Sequence, residues 1–477
     1  MAPKLHLPPA AIRRSWEEPS GECCCDNACR GNTCFRILAA AHTTGGLLAV
    51  AMISAIVEKQ HQQDPEPMRR SMGLLAHPLA AFAVLPLLGT LIAKAPDFIR
   101  AIRLLGSAAF VVCLMVDLVL PSLFLASNKV DDVLPVCSLL LGFCDAAVSL
   151  ALLCACENQV VKAHSVRLTE AFGVAFVVAL WGESLGLAMA AAPWGQNGYF
   201  SGFTSDKCVA GSTCMRMQIC GLLGVPFQLL GLVLALRLNS KKRRWRSSRS
   251  SPSQGGKSRS SGEKSKEELE EEEIVVDTES QLAELVQDPG TQVALLSTLL
   301  SGVAMLCAKE QARVFMAPRG QTSNIPGAAL RFLFGILGCG LAPRLVRAFG
   351  AFGTWMVAAL TTSALLLVSP VTTGFGVDWW AATATGLLPV LFFALPCVVT
   401  ARRARARGRP VSLALALTLA TQQGSCVLWQ AAGHVLPNGL GPWLGAVCSV
   451  WAAVLCSRAI VCDRDGQIVT ASTTPSA

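Results

Sequence analysis

The sequence contains a succession of apolar segments, each long enough to cross a lipid bilayer, that are separated by short polar stretches. A membrane-spanning helix needs about 20 apolar residues, and an ordinary water-soluble core does not bury many uninterrupted segments of that length. Only 15% of the 477 residues are charged, whereas soluble domains carry about 25%. Because helices satisfy their own backbone hydrogen bonds in lipid, we predict an all-α integral membrane protein.

The apolar segments fall into two groups on either side of a long polar region. They cover residues 35–57, 72–93, 104–126, 133–156, 171–194 and 217–238, then 293–307, 325–343, 349–369, 380–400, 411–432 and 440–462. This pattern predicts about 12 transmembrane helices in a 6+6 arrangement. The segment 293–307 is short for a span unless its helix continues through 308–313.

Composition divides the chain into five regions. These are a Cys-rich tail (1–34), a first bundle (35–238), a charged linker (239–290), a second bundle (291–462) and a short tail (463–477). The linker begins with a basic cluster, continues through a Ser/Gly-rich stretch and then carries a run of Glu residues. Such a composition cannot bury enough apolar surface to order itself, so we expect a disordered cytoplasmic linker.

Basic residues are concentrated in alternate loops, and the densest group lies at 402–409. The positive-inside rule therefore predicts that both termini are cytoplasmic, although basic residues in two predicted outer regions, 59–70 and 309–319, depart from it. Residues 1–34 lack an apolar signal region, so the first span is the expected insertion signal. We expect a plasma-membrane location. The net charge of +9 is explained by these clusters, and no nucleic-acid partner is expected.

Ionisable residues inside apolar segments are candidates for a substrate or proton-coupling site, because a charge at the bilayer centre costs at least about 2.5–3.5 kcal/mol. The candidates are Asp117, Asp145, Glu170 and Glu183 of the first half, with Gln423 and the neighbouring Gln422, Ser425 and Gln430 of the second. The alternative for each acid is a protonated or locally paired structural residue. A buried imidazole could relay protons, but for the two histidines in apolar segments, His42 and His77, structural hydrogen bonding is the preferred interpretation.

The cysteines suggest two modifications. Cys23, Cys24 and Cys25 precede the first span, where palmitoylation is expected, with unmodified thiols as the alternative. Three adjacent thiols cannot all ligate one ion comfortably, so no metal site is predicted there. Cys208 and Cys214 flank a polar turn on the predicted outer side, where a disulfide bond is possible.

No catalytic motif is present in the sequence: it has no nucleophile elbow, no phosphate-binding loop and no His-Glu-x-x-His. We therefore expect neither an enzyme nor a cofactor.

The two groups of six spans, the long central linker and the basic inner loops resemble the major facilitator architecture, in which two halves rock around a central site. The signature Gly-x-x-x-Asp-Arg after the second span is replaced by Lys94-Ala95-Pro96-Asp97, as in a divergent branch. The resemblance implies two partners, the lipid bilayer and a small-molecule solute that is moved by alternating access.

Within that architecture the sequence resembles the eukaryotic riboflavin transporter family. The resemblance rests on Pro86-Leu87-Leu88-Gly89-Thr90-Leu91, on Asp145 and Glu170, and on Gln423-Gly424-Ser425. The Trp-Val-Glu-Leu-Pro stretch of that family's first helix is absent, and Ala51-Met52-Ile53-Ser54 lies nearby instead. The resemblance implies a riboflavin-like substrate.

The chain is also similar to the multi-spanning envelope proteins of alphaherpesviruses. This similarity rests on Lys309-Glu310-Gln311-Ala312-Arg313 after the seventh segment and on the arginine run at 402–409. It implies a structural or fusion-modulating membrane protein that transports nothing.

Overall fold

The computed structural model describes residues 67–94, 130–159, 165–191, 278–316, 324–372, 376–433 and 440–472. The α-helices of these regions are α1 (Pro67–Lys94), α2 (Val130–Gln159), α3 (Ser165–Ala191), α4 (Thr278–Gln287), α5 (Pro289–Met316), α6 (Asn324–Val368), α7 (Gly376–Ala382), α8 (Leu388–Ala406), α9 (Val411–Gly433) and α10 (Gly441–Ser472). A π-helical turn, Thr383–Leu387, joins α7 to α8. The prediction of an all-α membrane protein is confirmed.

Six stretches of the described helices are long and apolar enough to cross a membrane. They coincide with the predicted segments that begin at residues 72, 293, 325, 380, 411 and 440, of which the structure joins 325–343 and 349–369 in α6. A shorter apolar stretch, Ser138–Cys154, lies in α2. The predicted segments 35–57, 104–126 and 217–238 lie outside the described residues.

Helix boundaries differ from the sequence prediction in two informative places. The seventh segment does continue into its polar end, because α5 extends to Met316. The two segments in α6 meet at Gly350, whose backbone has φ 75° and ψ 171°. Only glycine adopts such a positive φ without strain, so Gly350 marks the turn between two spanning helices.

The prediction that residues 239–290 form a disordered linker is wrong at the end of this region. Residues 278–287 form α4, and α5 already begins at Pro289. The apolar side chain of Leu285 is buried against Ala404, Leu413 and Ala414, which supplies the burial that composition alone did not predict. The C-terminal tail (463–477) also differs, since α10 continues through Ser472. The remainder of both regions lies outside the described residues.

Helices of the first half pack directly against helices of the second. The helix α1 lies along α9, while α3 lies against α6 and α8. Glycines permit close approach: a Cβ atom on Gly89 of α1 would lie 2.5 Å from the Cβ atom of Ala416. A Cβ atom on Gly173 of α3 would lie 3.3 Å from the Sγ atom of Cys339. Small residues at such contacts are typical of helix packing in membranes.

Candidate functional site

Asp145 and His77 form a pair of ionisable groups inside the first bundle. The Nε2 atom of His77 on α1 lies 3.8 Å from the Oδ2 atom of Asp145 on α2, and Ser149 donates a hydrogen bond to Oδ1 at 3.2 Å. The side chains of His77 and Asp145 are 20% and 23% exposed, so neither is sealed within the protein. Within the described residues, His77 Nε2 has no hydrogen-bond partner.

The pair is positioned by a close contact between α1 and α2. A Cβ atom on Gly142 would lie 2.2 Å from the backbone oxygen of His77, so only glycine fits here. Asp145 lies three residues beyond Gly142 and therefore on the same face of α2, towards α1. Ser138, one turn before Gly142, is buried and its Oγ atom also has no partner among the described residues.

The pair lies deep within the span. We measure depth from the end of the bundle that carries Arg402 to Arg409, hereafter the basic end, which is the predicted cytoplasmic side. At a helical rise of 1.5 Å per residue, Asp145 lies about 18 Å from Glu157 at this end of α2. His77 lies about 25 Å from Lys94, the last residue of α1.

The other predicted acids lie at different depths. Glu170 is exposed and only about 8 Å from Ser165, the first residue of α3, so it lies nearer the basic end than Asp145 does. Glu183 lies on α3 about 27 Å from Ser165. Asp117 lies outside the described residues.

Among the predicted polar residues of α9, Gln423 lies about 18 Å from Val411 and its side chain is half-buried. A Cβ atom on the neighbouring Gly424 would lie 3.4 Å from the ring of Phe82, which is five residues nearer the basic end of α1 than His77. Ser425 has a structural role, because its hydroxyl donates to the backbone oxygens of Leu299 on α5 and Thr421. The buried Oε1 atom of Gln430 has no partner among the described residues. Gln422 and Gln423 therefore lie nearer the basic end than the pair does.

Arg331 is a functional candidate that the sequence prediction missed. It lies within the span 329–371 of α6, and its Nε atom donates a hydrogen bond to the backbone oxygen of Thr385 at 3.1 Å. Thr385 belongs to the π-helical turn, and such turns are frequent at functional sites. Gly386 allows the contact, since a Cβ atom there would lie 2.3 Å from the backbone oxygen of Arg331. The sequence signal was a single Arg within an apolar segment.

The arginine run at the basic end connects the two halves. Arg405 of α8 forms an ion pair with Glu157 of α2, and Arg402 donates a hydrogen bond to Ser165 of α3 at 2.5 Å. Glu157 is buried, and this burial raises the pKa of its carboxyl group even though Arg405 acts in the opposite direction. These contacts hold the halves together at this end.

Asp288 organises the same run within the second half. Its Oδ2 atom accepts hydrogen bonds from the backbone nitrogen (2.8 Å) and the hydroxyl (2.7 Å) of Thr291. The Asp288 side chain therefore caps the start of α5. Arg403 lies 3.7 Å from Oδ2, and Arg407 pairs with Oδ1. Burial opposes the ionisation of Asp288, but the Thr291 hydrogen bonds and the two arginines outweigh it, so its pKa lies below the ordinary value.

The remaining site predictions are not addressed by the described residues. Cys23, Cys24, Cys25, Cys208 and Cys214 all lie outside them. Within the part of the chain that the structure describes, no group of three or more His, Cys, Asp or Glu residues is arranged to hold a metal ion.

Solved structures of transporters share this fold. The chain matches the major facilitator superfamily transporter FucP in the outward conformation with a TM-score of 0.58 and 12% identity, over 88% of this chain and 98% of that one. It matches a bacterial homologue of the iron transporter ferroportin in an outward-facing state with a TM-score of 0.57 and 14% identity, over 89% and 98%.

A third match is the nucleoside transporter NupG, with a TM-score of 0.53 and 12% identity, over 90% of this chain and 99% of that one. No protein-family model matches the sequence, and no curated protein matches it. Because the structural matches cover almost the whole chain at low identity, they show the fold. The protein therefore has the fold of the major facilitator transporters.

Proposed function

We propose that this protein transports a small organic solute across a membrane by alternating access, and that a riboflavin-like compound is the first substrate to test. In alternating access, two halves rock around a site near the middle of the bilayer and expose it to each side in turn. The observation that carries the proposal is the joining of the two halves at the basic end by separable polar contacts, Arg405 with Glu157 and Arg402 with Ser165.

Such contacts suit a gate better than a permanent joint. A rigid structural protein would gain more from apolar packing, because a buried ion pair is often no more stable than hydrophobic residues of the same volume. When the two halves separate, water can solvate both charged groups of an ion pair, so the contact can break and form again. The side chain of Arg405 is 39% exposed, so water already reaches one partner of this pair.

The depths of the polar residues support a central binding region. Asp145 lies about 18 Å from Glu157 along α2, His77 about 25 Å from Lys94 along α1, and Gln423 about 18 Å from Val411 along α9, so all three lie within the span rather than at its basic end. Charged groups at such depths mark substrate or ion pathways in many membrane proteins. Arg331 adds a cation from the second half.

The test is uptake by proteoliposomes that contain the intact purified chain. Labelled riboflavin, a panel of nucleosides and a panel of amino acids would be offered separately, with protein-free liposomes as the background. Asp145→Asn removes the central carboxylate, whereas Arg458→Gln removes an exposed charge on α10 and serves as the matched control.

Saturable uptake of one solute by the wild type and by Arg458→Gln, but not by Asp145→Asn, is the expected result. Uptake of a nucleoside or an amino acid rather than riboflavin would support the proposal of transport and contradict the proposal of a riboflavin-like substrate. Correctly folded protein that takes up none of these solutes would contradict the proposal and favour the alternative of a structural membrane protein, such as a viral envelope component.

A further inference from the structure

We infer that His77 and Asp145 together bind one proton, and that this dyad couples the proposed transport to a proton gradient. The inference rests on the proposed function for its role in coupling, but proton binding by the dyad can be measured without any solute. The inference identifies the proton as the coupling ion and adds a second residue, His77, to the site.

The first step of the argument is the geometry of the pair. A separation of 3.8 Å between Nε2 and Oδ2 lies within ion-pair range but beyond a hydrogen bond, which for nitrogen and oxygen is about 2.7–3.2 Å. A shift of about 1 Å between α1 and α2 would close it. The present arrangement is therefore an open form of a dyad that a shared proton would draw together.

The second step is the hydrogen-bonding capacity that the protein leaves unused. Asp145 receives one hydrogen bond, from Ser149 to Oδ1, while Oδ2 faces the imidazole. His77 Nε2 is buried and has no partner among the described residues. A buried polar atom without a partner is unfavourable, and a proton shared with Oδ2 would give His77 Nε2 a partner.

The third step is charge. A neutral imidazole beside a carboxylate carries one negative charge, and one proton added to either group makes the net charge of the pair zero without consuming any other species. The two groups are close enough to titrate as a unit rather than as independent sites. A change in the net charge of the dyad alters its energy by different amounts in the two conformations of the transport cycle. Coupling requires this difference between the conformations.

No other described carboxylate lies beside the dyad. On α3, which packs against α2, Arg167 and Glu170 are exposed and lie near the basic end. The rest of α1 from residue 75 onward contributes only Lys94, about 25 Å away. On α2 the nearest described carboxylate is Glu157, about 18 Å away and paired with Arg405. On α9, which packs along α1, the ionisable side chain is Cys426, which lies near Lys309 of α5.

A path for the proton is indicated by polar residues on the same face of α2. Ser138 lies about 10 Å from Asp145 towards the end opposite the basic end, and its buried Oγ atom has no partner among the described residues. A hydroxyl in that position can relay a proton through a bound water molecule.

The first experiment measures protons directly. The full chain in lipid nanodiscs, in weakly buffered solution with a pH dye, would be titrated from pH 8 to pH 5 alongside Asp145→Asn, His77→Gln and the double variant. We expect the wild type to bind about one proton more than each variant, and the double variant to match the singles, because the residues share that proton. Equal proton binding by all four proteins would overturn the inference.

A second measurement keeps the test informative if a variant unfolds. Thermal unfolding checks each variant, and Ser149→Ala serves as a matched variant that weakens the dyad while retaining both titrating groups. It should bind the same number of protons as the wild type at a shifted pH. Replacing K⁺ by Na⁺ should leave the titrations unchanged, whereas protons displaced by Na⁺ would overturn the assignment in favour of a sodium site.

Failure of this inference is distinguishable from failure of the proposed function. If the protein transports a solute and the His77→Gln and Asp145→Asn variants retain the same response to a pH gradient, transport stands and the dyad is wrong. In the expected case, both variants lose gradient-driven accumulation, whereas the control variant Arg458→Gln retains it. If the protein transports nothing, the proton titration still decides whether the dyad exists.

Discussion

Glu157, at the end of α2, accepts a charge-assisted hydrogen bond from Arg405, near the end of α8, so that one ion pair joins the two halves of the bundle. The carboxylate is buried, whereas the arginine is partly exposed. The pair is supported nearby by Arg402, which reaches Ser165 of α3. The two halves are therefore joined at the basic end through both α2 and α3.

We expect Arg405→Gln to destabilise this closed end by about 1–3 kcal/mol, because it leaves a buried carboxylate without its partner. The check is hydrogen exchange of backbone amides in 153–157, 165–170 and 400–406, which should become faster. Glu157→Gln in the same background should recover part of the loss. Additive effects of the two substitutions would show that the residues do not interact.

Asp288 allows a prediction about pH. Its folded-state pKa is lowered, so its contribution to stability is fully present above the unfolded value of about 3.9 and is lost as the pH falls through the lower folded value. We expect Asp288→Asn to lower the melting temperature at pH 7, and the difference from wild type to shrink at pH values below about 4.

Two variants separate the roles of Asp288. Asn retains an oxygen that accepts from Thr291, so Asp288→Asn removes mainly the charge interaction with the arginines. Asp288→Ala also removes the helix cap and should cost about 1 kcal/mol more. Identical melting temperatures for the two variants would contradict the capping role.

The space around two glycines, Gly89 of α1 and Gly340 of α6, predicts opposite effects when each is replaced by alanine. In Gly89→Ala, the new methyl group would meet Ala416 at 2.5 Å and force the helices apart, so the melting temperature should fall. In Gly340→Ala, the methyl group meets nothing within 4 Å, and alanine favours the helix by about 1 kcal/mol. A loss of stability in both variants would show that the close approach is not the cause.

Arg331 predicts a test of the π-helical turn. Arg331→Gln removes the charge and the hydrogen bond from Nε to Thr385, so we expect lower thermal stability and weaker uptake of the transported solute. Arg344→Gln, an exposed position on the same helix, is the matched control. Arg331→Lys retains the charge without the fixed guanidinium geometry and separates the two contributions. Unchanged uptake in all three variants would exclude Arg331 from the solute pathway.

Particular residues show where prediction from the sequence succeeded and where it did not. The span at 411–432 was predicted closely, because an apolar segment of that length has few alternatives in a bilayer. The helix at 278–287 was missed, since its stability depends on Leu285 burying against α8 and α9, which are distant in sequence. The sequence singled out Asp145 and His77 separately, but their pairing between α2 and α1 depends on tertiary packing.

The sequence by itself determined that the chain lies in a membrane, which segments span it and which end carries the arginines, because these follow from hydrophobic length and from charge along the chain. The tertiary structure alone decided that His77 faces Asp145, that Arg405 meets Glu157, and that Arg331 meets the π-helical turn. Each of these contacts joins two helices. Close packing at Gly142 sets the register of the first contact and close packing at Gly386 that of the third, and no periodicity within a single segment contains that information.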